Sequence, residues 1–234
     1  MILTAHQPNY LPYLGFFHKA ATADVFAIWD TVQFVKGGPF GWQCRNKIRT
    51  KDGWTWLSVP MLSKGRYKQL ISEAHINNDA PWRRKHWRSI YLNYKDALYF
   101  MKYSDFFEEL YKREWDRLVD ISEVIIRYLM EVLGIKPKVI KCSDLGLHSQ
   151  GTDLIIDVCK KIGADTFLSG KHGKDYLDEE KLRNNNIRLM YQDFTHPRYK
   201  QLYEPFVENL SVIDLLCNEG DASLSILMGK TRGQ

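Results

Sequence analysis

The chain opens on a short apolar run, Ile2-Leu3-Thr4-Ala5, that stops at HQPNYLPYLGFFHKA, His6 to Ala20. Pro8 removes a backbone donor, Pro12 fixes φ, and Gly15 permits close backbone approach as a helix-compatible run begins. The segment therefore reads as strand, polar loop, helix start, which is how an α/β fold begins. Two histidines, a glutamine, an asparagine and two tyrosines fall within the 13 residues from His6 to His18, more polar chemistry than a connector needs. In an α/β sheet, ligands bind outside the carboxyl end of a strand, beside a helix amino terminus. His6, Gln7, Asn9, Tyr10 and His18 are accordingly the first candidate site residues.

The apolar run from Asp24 to Asp30 supplies a second strand and completes a β-α-β start, after a helix over Leu14 to Ala23. A right-handed crossover returns Asp30 to the same sheet edge as His6. From Val32 to Leu62 the rhythm changes to alternating β-like residues around Lys51-Asp52-Gly53, which predicts a hairpin inserted over the sheet edge. The alternative is an α+β arrangement in which the hairpin joins the main sheet. Arg45, Lys47 and Arg49 share one hairpin face by alternation, with Asn46 between them. That face suits an anion, or it is simply solvated.

Pro81 opens a helix running through WRRKHWRSIYLNYKDA, with Trp82, Lys85, His86 and Ser89 on one stripe and Arg84 and Arg88 on another. Apolar residues from Phe107 to Val132 recur at helical spacing until Gly134, which predicts one long helix starting near Asp105. The last hundred residues return to α/β alternation: a strand at Val139-Ile140, a helix from Thr152 to Gly163, and a strand from Asp165 to Leu168. That strand runs into SGKHGKDY, which brings Ser169, Gly170, Lys171, Lys174, Asp175 and Tyr176 to a second strand end. A short helix from Asp178 to Asn184, the strand IRLMYQDF, the segment THPRYKQLYEPF with His196 and Tyr199, and a helix capped by Ser211 complete the chain. The expected architecture is one α/β domain over residues 1 to 234, with a mainly parallel sheet of about five strands, helices on both faces, and a β-hairpin insertion near 32 to 62.

Composition narrows the function. With 234 residues, 44% hydrophobic and 26% charged, the chain has ordinary globular values. A net charge of +5 favours an anionic ligand such as a nucleotide and is too small to argue for nucleic acid by itself. Cys44, Cys142, Cys159 and Cys217 are far apart, with neither CxxC pairing nor zinc-ligand spacing, which points to a reducing cytoplasm. No apolar run approaches a membrane span, so any membrane association would be peripheral. The G-x-S-x-G elbow, the P-loop and the Rossmann glycine spacing are all missing.

HQPNYLPYLGFF, CRNKI, WLSVP, W-x-x-K-H at Trp82 to His86, LSG followed by DYL, HPRYKQ and LSVIDLL together resemble the WbqC-like family, found with genes for bacterial surface polysaccharide. The stretch before Arg45-Asn46 reads KGGPFGWQC here and departs from the family's basic-aromatic run. The resemblance implies a part in O-antigen or related glycan assembly. It further implies transfer of glycine or another aminoacyl group to an amino sugar, and the expected reaction takes an amino sugar carried on a nucleotide and an amino acid activated by ATP with Mg or supplied as aminoacyl-tRNA. In layout the chain is also similar to the HIGH-type nucleotidyl-transferase superfamily, although HxGH is replaced by His6 and His18 bracketing Gly15. Under this reading His6, or else His18, is a general base and Asp30 orients the histidine or binds the incoming ammonium. Gln7, Asn9, Tyr10, Arg45, Asn46, Lys47, Lys85, His86, the residues of the Ser169 loop, His196 and Tyr199 contact substrate. The rival expectation is a nucleotide-, nucleic-acid- or glycan-binding protein without catalysis.

Overall fold

Five parallel strands form the central sheet of the computed structural model, which describes residues 1–37, 41–66 and 68–230. In chain order the elements are β1 (Ile2–His6), α1 (Leu14–Ala21), β2 (Val25–Ile28), β3 (Arg45–Thr50), β4 (Gly53–Ser58), α2 (Trp82–Tyr94), α3 (Phe100–Lys112), α4 (Leu118–Leu133), β5 (Lys138–Lys141), α5 (Gly151–Ile162), β6 (Thr166–Ser169), α6 (Glu179–Asn184), β7 (Arg188–Tyr191), α7 (Val212–Glu219) and α8 (Ser223–Leu227). The sheet order is β5-β2-β1-β6-β7, and β3-β4 form a separate antiparallel pair, as the inserted hairpin requires.

Both faces of the sheet are apolar and covered, which is why its strands are continuous hydrophobic runs. Leu3 and Ala5 of β1 and Val25 and Ala27 of β2 pack with α5 residues such as Ile155 and Val158. The alternate residues Phe26 and Ile28 face a larger cluster with Phe16, Phe17, Ile125 and Leu216. Ser211 caps α7 by accepting from the Ile213 amide, as its position before an apolar run leads one to expect.

The long helix expected from Asp105 to Gly134 is two helices, α3 and α4, broken at residues 113 to 117. No Gly or Pro marks the break. The backbone there is diverted to another segment instead: the Ile76 amide donates to Asp116 (2.8 Å), the Leu118 amide to Ala74 (2.9 Å), and Asn78 Nδ2 to Trp115 (2.9 Å). Trp115, buried, donates its indole N–H to the Leu110 carbonyl near the end of α3. Tertiary bonds to a segment some 40 residues upstream outweigh local periodicity, a competition that helical spacing does not record.

Candidate functional site at the sheet switch point

In chain order the sheet runs third, second, first, fourth, fifth, so the winding reverses between β1 and β6. These strands are parallel neighbours, with Thr4 opposite Leu168, and their following loops leave side by side from one sheet edge. Open α/β sheets bind ligands at such a reversal. His6 and the loop from Ser169 thus flank the reversal, while Asp30, just past β2, joins the same edge on the other side.

His6 is a neutral imidazole. Its Nδ1–H donates to the Gln7 carbonyl (2.9 Å), which leaves the lone pair on Nε2, and its ring packs 4.7 Å from Phe16. Burial first, then the Lys19 cation, lower its pKa from 6.5 to about 3, with the Gln7 bond opposing them. Lys19 is 5% exposed, donates to the Ala5 carbonyl (2.8 Å), and is pushed by burial down to about 7. Sequence reasoning passed over Lys19, although a signal existed: Phe16, Lys19 and Ala20 share an α1 face by three- and four-residue spacing, so the lysine had to sit on an apolar stripe.

The loop after β1 is fastened to the hairpin. Gln43, fully buried, donates from Nε2 to Gln7 Oε1 (2.7 Å), and its carbonyl accepts from the Tyr10 amide (2.9 Å). Asn46 donates to the Leu11 carbonyl (2.5 Å) and accepts from the Lys47 amide (2.8 Å). Leu11 has φ +48°, a left-handed conformation that a leucine adopts only when its surroundings impose it. Asn9 is 4% exposed and makes no side-chain hydrogen bond among the described residues.

Several residues expected to contact ligand are committed to the scaffold. Tyr10 is fully buried and its hydroxyl bonds His86 Nδ1 (2.8 Å) and the Tyr111 hydroxyl; burial lowers His86 to about 4 and raises Tyr10. Neither presents a free group at the surface. Asn46 is likewise a clamp. His196 donates from Nδ1 to the Pro197 carbonyl (2.9 Å) and accepts at Nε2 from the Asn209 amide (3.2 Å), while Tyr199 donates to Asp214 Oδ2 (2.8 Å). Asp30 accepts from the Ser143 amide (3.0 Å) and hydroxyl (2.6 Å), and His6 takes its orientation from Gln7 rather than from Asp30. His18 accepts at Nδ1 from Gln192 Nε2 (3.1 Å) and its ring lies tilted 5.2 Å from Phe194; burial lowers its pKa, with Asp193 opposing.

Gln192, unremarked in the sequence, joins the two halves of the site. Its side chain donates to the Gly15 carbonyl (2.8 Å) at the start of α1, and its amide donates to the Ser169 carbonyl (2.7 Å) at the end of β6. Gly15 must lack a side chain, because a Cβ there would stand 2.7 Å from the Tyr13 ring and 3.2 Å from Phe194.

The loop after β6 has a buried root and an exposed tip. Ser169 is buried, and Gly173 folds back onto it so closely that a Cβ would lie 2.0 Å from Ser169 Oγ. Beyond that contact, Lys171, Lys174, Asp175 and Tyr176 are exposed. Lys171 has no bonded partner among the described residues, Lys174 lies 5.0 Å over the Tyr191 ring, and Asp175 sits 3.4 Å from His172.

On the hairpin, Lys47 lies 5.0 Å over Trp54 and 5.8 Å over Trp42, and Arg45 lies 4.5 Å over Trp56 while donating to the Gly41 carbonyl (3.1 Å). Burial lowers the Lys47 pKa. Arg49, third on that face, turns inward instead and donates to the carbonyls of Thr50, Gly53, Tyr203 and Pro205. Lys85 projects from the exposed face of α2, and its side chain has no bonded partner among the described residues. In the altered stretch from Lys36 to Cys44, residues 38 to 40 fall outside the described residues. A surface concavity of about 500 Å3 beside Glu179, Arg183 and Arg188 lies where β7 begins, at the opposite sheet edge from His6. No group of three or more His, Cys, Asp or Glu among the described residues is arranged to hold a metal ion.

A doubly wound sheet with a histidine and a lysine-bearing loop on either side of its winding reversal defines an α/β protein with a candidate site at the switch point. The chain belongs to the WbqC-like protein family, whose sequence model matches residues 7–226. It is 32% identical over 216 residues, 92% of each chain, to the "Uncharacterized protein Rv1507c" of Mycobacterium tuberculosis. No solved structure matches it. The family fits a role in polysaccharide biosynthesis.

Proposed function

We propose that the protein is an enzyme of surface-polysaccharide assembly that joins an aminoacyl group to the amine of a nucleotide-linked amino sugar. The observation that carries this reading is the placement of a neutral histidine and a loop bearing two outward-facing lysines on adjacent strands at the winding reversal. An amine must shed a proton to attack, and His6 Nε2 holds a lone pair to receive it. At a pKa of about 3 that nitrogen is a weak base in the unliganded protein. The phosphates of a bound nucleotide sugar raise it, so basicity arrives with substrate.

The amine nitrogen bonds to the acyl carbon, and the bond from that carbon to the leaving oxygen breaks. The amine proton passes to His6 and then to the departing group. That group is AMP when ATP has activated the acid, and the terminal ribose of tRNA when the donor is charged tRNA. Lys171, Lys174 and the backbone amides of Lys171 and His172 offset the negative charge on it. Gln7 and Asn9 supply amide groups for the sugar hydroxyls, and Lys19 keeps His6 deprotonated between turnovers.

The test incubates the protein with ATP, glycine and 4-amino nucleotide sugars, with and without charged tRNA, and looks for the aminoacyl adduct by mass spectrometry. Adduct formed with ATP alone supports adenylation, and dependence on charged tRNA supports direct transfer. Absence of adduct across the whole panel overturns the reading. The tryptophan face of the hairpin favours one rival, glycan binding without catalysis. The rival predicts thermal stabilisation by sugar ligands that survives His6→Ala, with no turnover.

A further inference from the structure

The helical hairpin of α2 and α3 carries a surface that the proposed reaction does not use. Residues 82 to 102 contain six Lys or Arg (Arg83, Arg84, Lys85, Arg88, Lys95, Lys102) against one acid, Asp96, a net +5. The other 27 basic and 27 acidic residues cancel, so the formal charge of the whole chain resides in these 21 positions. The same segment holds the two most exposed aliphatic side chains described, Leu98 at 80% and Met101 at 71%, with Leu92 and Tyr91 also exposed. Isolated exposed apolar residues are ordinary, but a cluster of this kind marks a contact surface.

The residues are layered. Arg84, Arg88 and Tyr91 follow one another at four- and three-residue spacing on the exposed face of α2, flanked by Lys85 and Leu92. Arg84, Lys85 and Arg88, at the amino-terminal end, have no hydrogen-bond or ion-pair partner among the described residues, whereas Arg83 is tied to Glu114 (2.9 Å) and to two carbonyls. Next come the aromatics: Trp87 stacks on Phe100 at 6.3 Å, and Tyr91 meets both rings. Leu92, Leu98 and Met101 form the tip. There the two lysines are already paired, Lys95 with Asp96 (3.1 Å) and Lys102 with Asp221.

We infer that this hairpin tip docks the protein onto the surface of an anionic lipid bilayer. The layering follows the bilayer's own profile: aliphatic side chains for the acyl boundary, Trp and Tyr at the interface, and unpaired cations at headgroup level. From Arg88 to Leu92 the helix rises about 6 Å, the scale of the headgroup layer. A second copy meets this face poorly, because a twofold contact would set one net +5 surface against another. No helix among the described residues is long and apolar enough to cross a membrane, so the attachment is peripheral.

The intact protein is sedimented with vesicles of mixed phosphatidylglycerol and phosphatidylcholine and with vesicles of phosphatidylcholine alone. It pellets with the anionic vesicles, and added salt weakens the binding. Arg84→Glu with Arg88→Glu lowers the partition by roughly 10- to 100-fold, since each cation near such a surface is worth about a factor of five and reversal adds repulsion. Leu98→Asp with Met101→Asp lowers it at least about tenfold by removing the inserted tip. All four positions are exposed, and circular dichroism melting checks that both variants stay folded. The inference is overturned if the wild type ignores anionic vesicles, if its binding is insensitive to salt and survives both double substitutions, or if the apolar pair instead disrupts a dimer that has no affinity for lipid.

Discussion

The loops that follow β1 and β6 stand side by side on one sheet edge and are built in opposite ways. From His6 to Pro12 the groups that fix the loop are spent internally: His6 Nδ1 on the Gln7 carbonyl, Gln7 Oε1 on Gln43, the Tyr10 hydroxyl on His86, and the Leu11 carbonyl on Asn46. From Ser169 to Tyr176 only the root is buried, and the cations point to solvent. The first loop is held in place by its own bonds, whereas the second leaves its side chains exposed. A preorganised half fixes geometry at no cost during binding, and an open half gives entry and exit.

The sharpest way to break this comparison is His6→Ala. The substitution should lower turnover by roughly 10²- to 10⁴-fold, the range for loss of a general base, while leaving the melting curve near wild type. Near-normal turnover would remove His6 from that role. Asn46→Ala tests whether the first loop is rigid because the hairpin clamps it. Freeing the buried Leu11 carbonyl should cost about 1–3 kcal/mol in urea unfolding. An unchanged midpoint would show that Leu11 holds its left-handed conformation without that bond.

Lys171→Ala should do the reverse. With no bonded partner among the described residues to lose, stability should move by less than about 0.5 kcal/mol. The value of kcat/KM should fall by roughly 10- to 100-fold if the lysine closes on phosphate. A large stability loss without a kinetic effect would make the second loop part of the scaffold too.

The smallest expected effect is in pH dependence. The native protein resists protonating His6 until about pH 3, while the unfolded chain takes that proton below 6.5. Acidification between those values therefore favours unfolding. Asp214 runs the other way: burial first raises its pKa from 3.8 to about 6, so the native state gains a proton earlier and acidification from 6 to 3.8 favours folding. His6→Ala should remove only the first contribution. In urea titrations, wild type should lose about 1 kcal/mol relative to the variant between pH 7 and pH 4.5, less than the full linkage because the residue is only partly buried. Parallel pH profiles would mean that His6 titrates normally.

The parts legible in the sequence were those where local chemistry and global placement agree. Apolar runs ended by polar loops gave the strands, and both candidate loops trail such runs, but that β1 and β6 are neighbours at the winding reversal is visible only in the structure. Legibility failed where a side chain could serve either ligand or scaffold. Nothing in CRNKI distinguishes Asn46 as a clamp, because its partner is the Leu11 carbonyl 35 residues upstream. Nothing in W-x-x-K-H shows that His86 is answered by Tyr10 from 76 residues away. Arg49 followed the alternation of Arg45 and Lys47 yet turned inward, since the segment near 203 to 205 supplies the carbonyls that receive it.

The central place of β1 has a consequence for how the protein is made. It leaves the ribosome ahead of the other strands of its sheet and finds one neighbour, β2, within about 20 residues, but its other edge waits for β6, beginning at Thr166. At typical synthesis rates that interval is roughly 10 to 30 s, during which an apolar strand edge stands open to mispairing. The switch point that holds the candidate site is thus among the last joints of the sheet to close, ahead only of the pairing of β7 with β6.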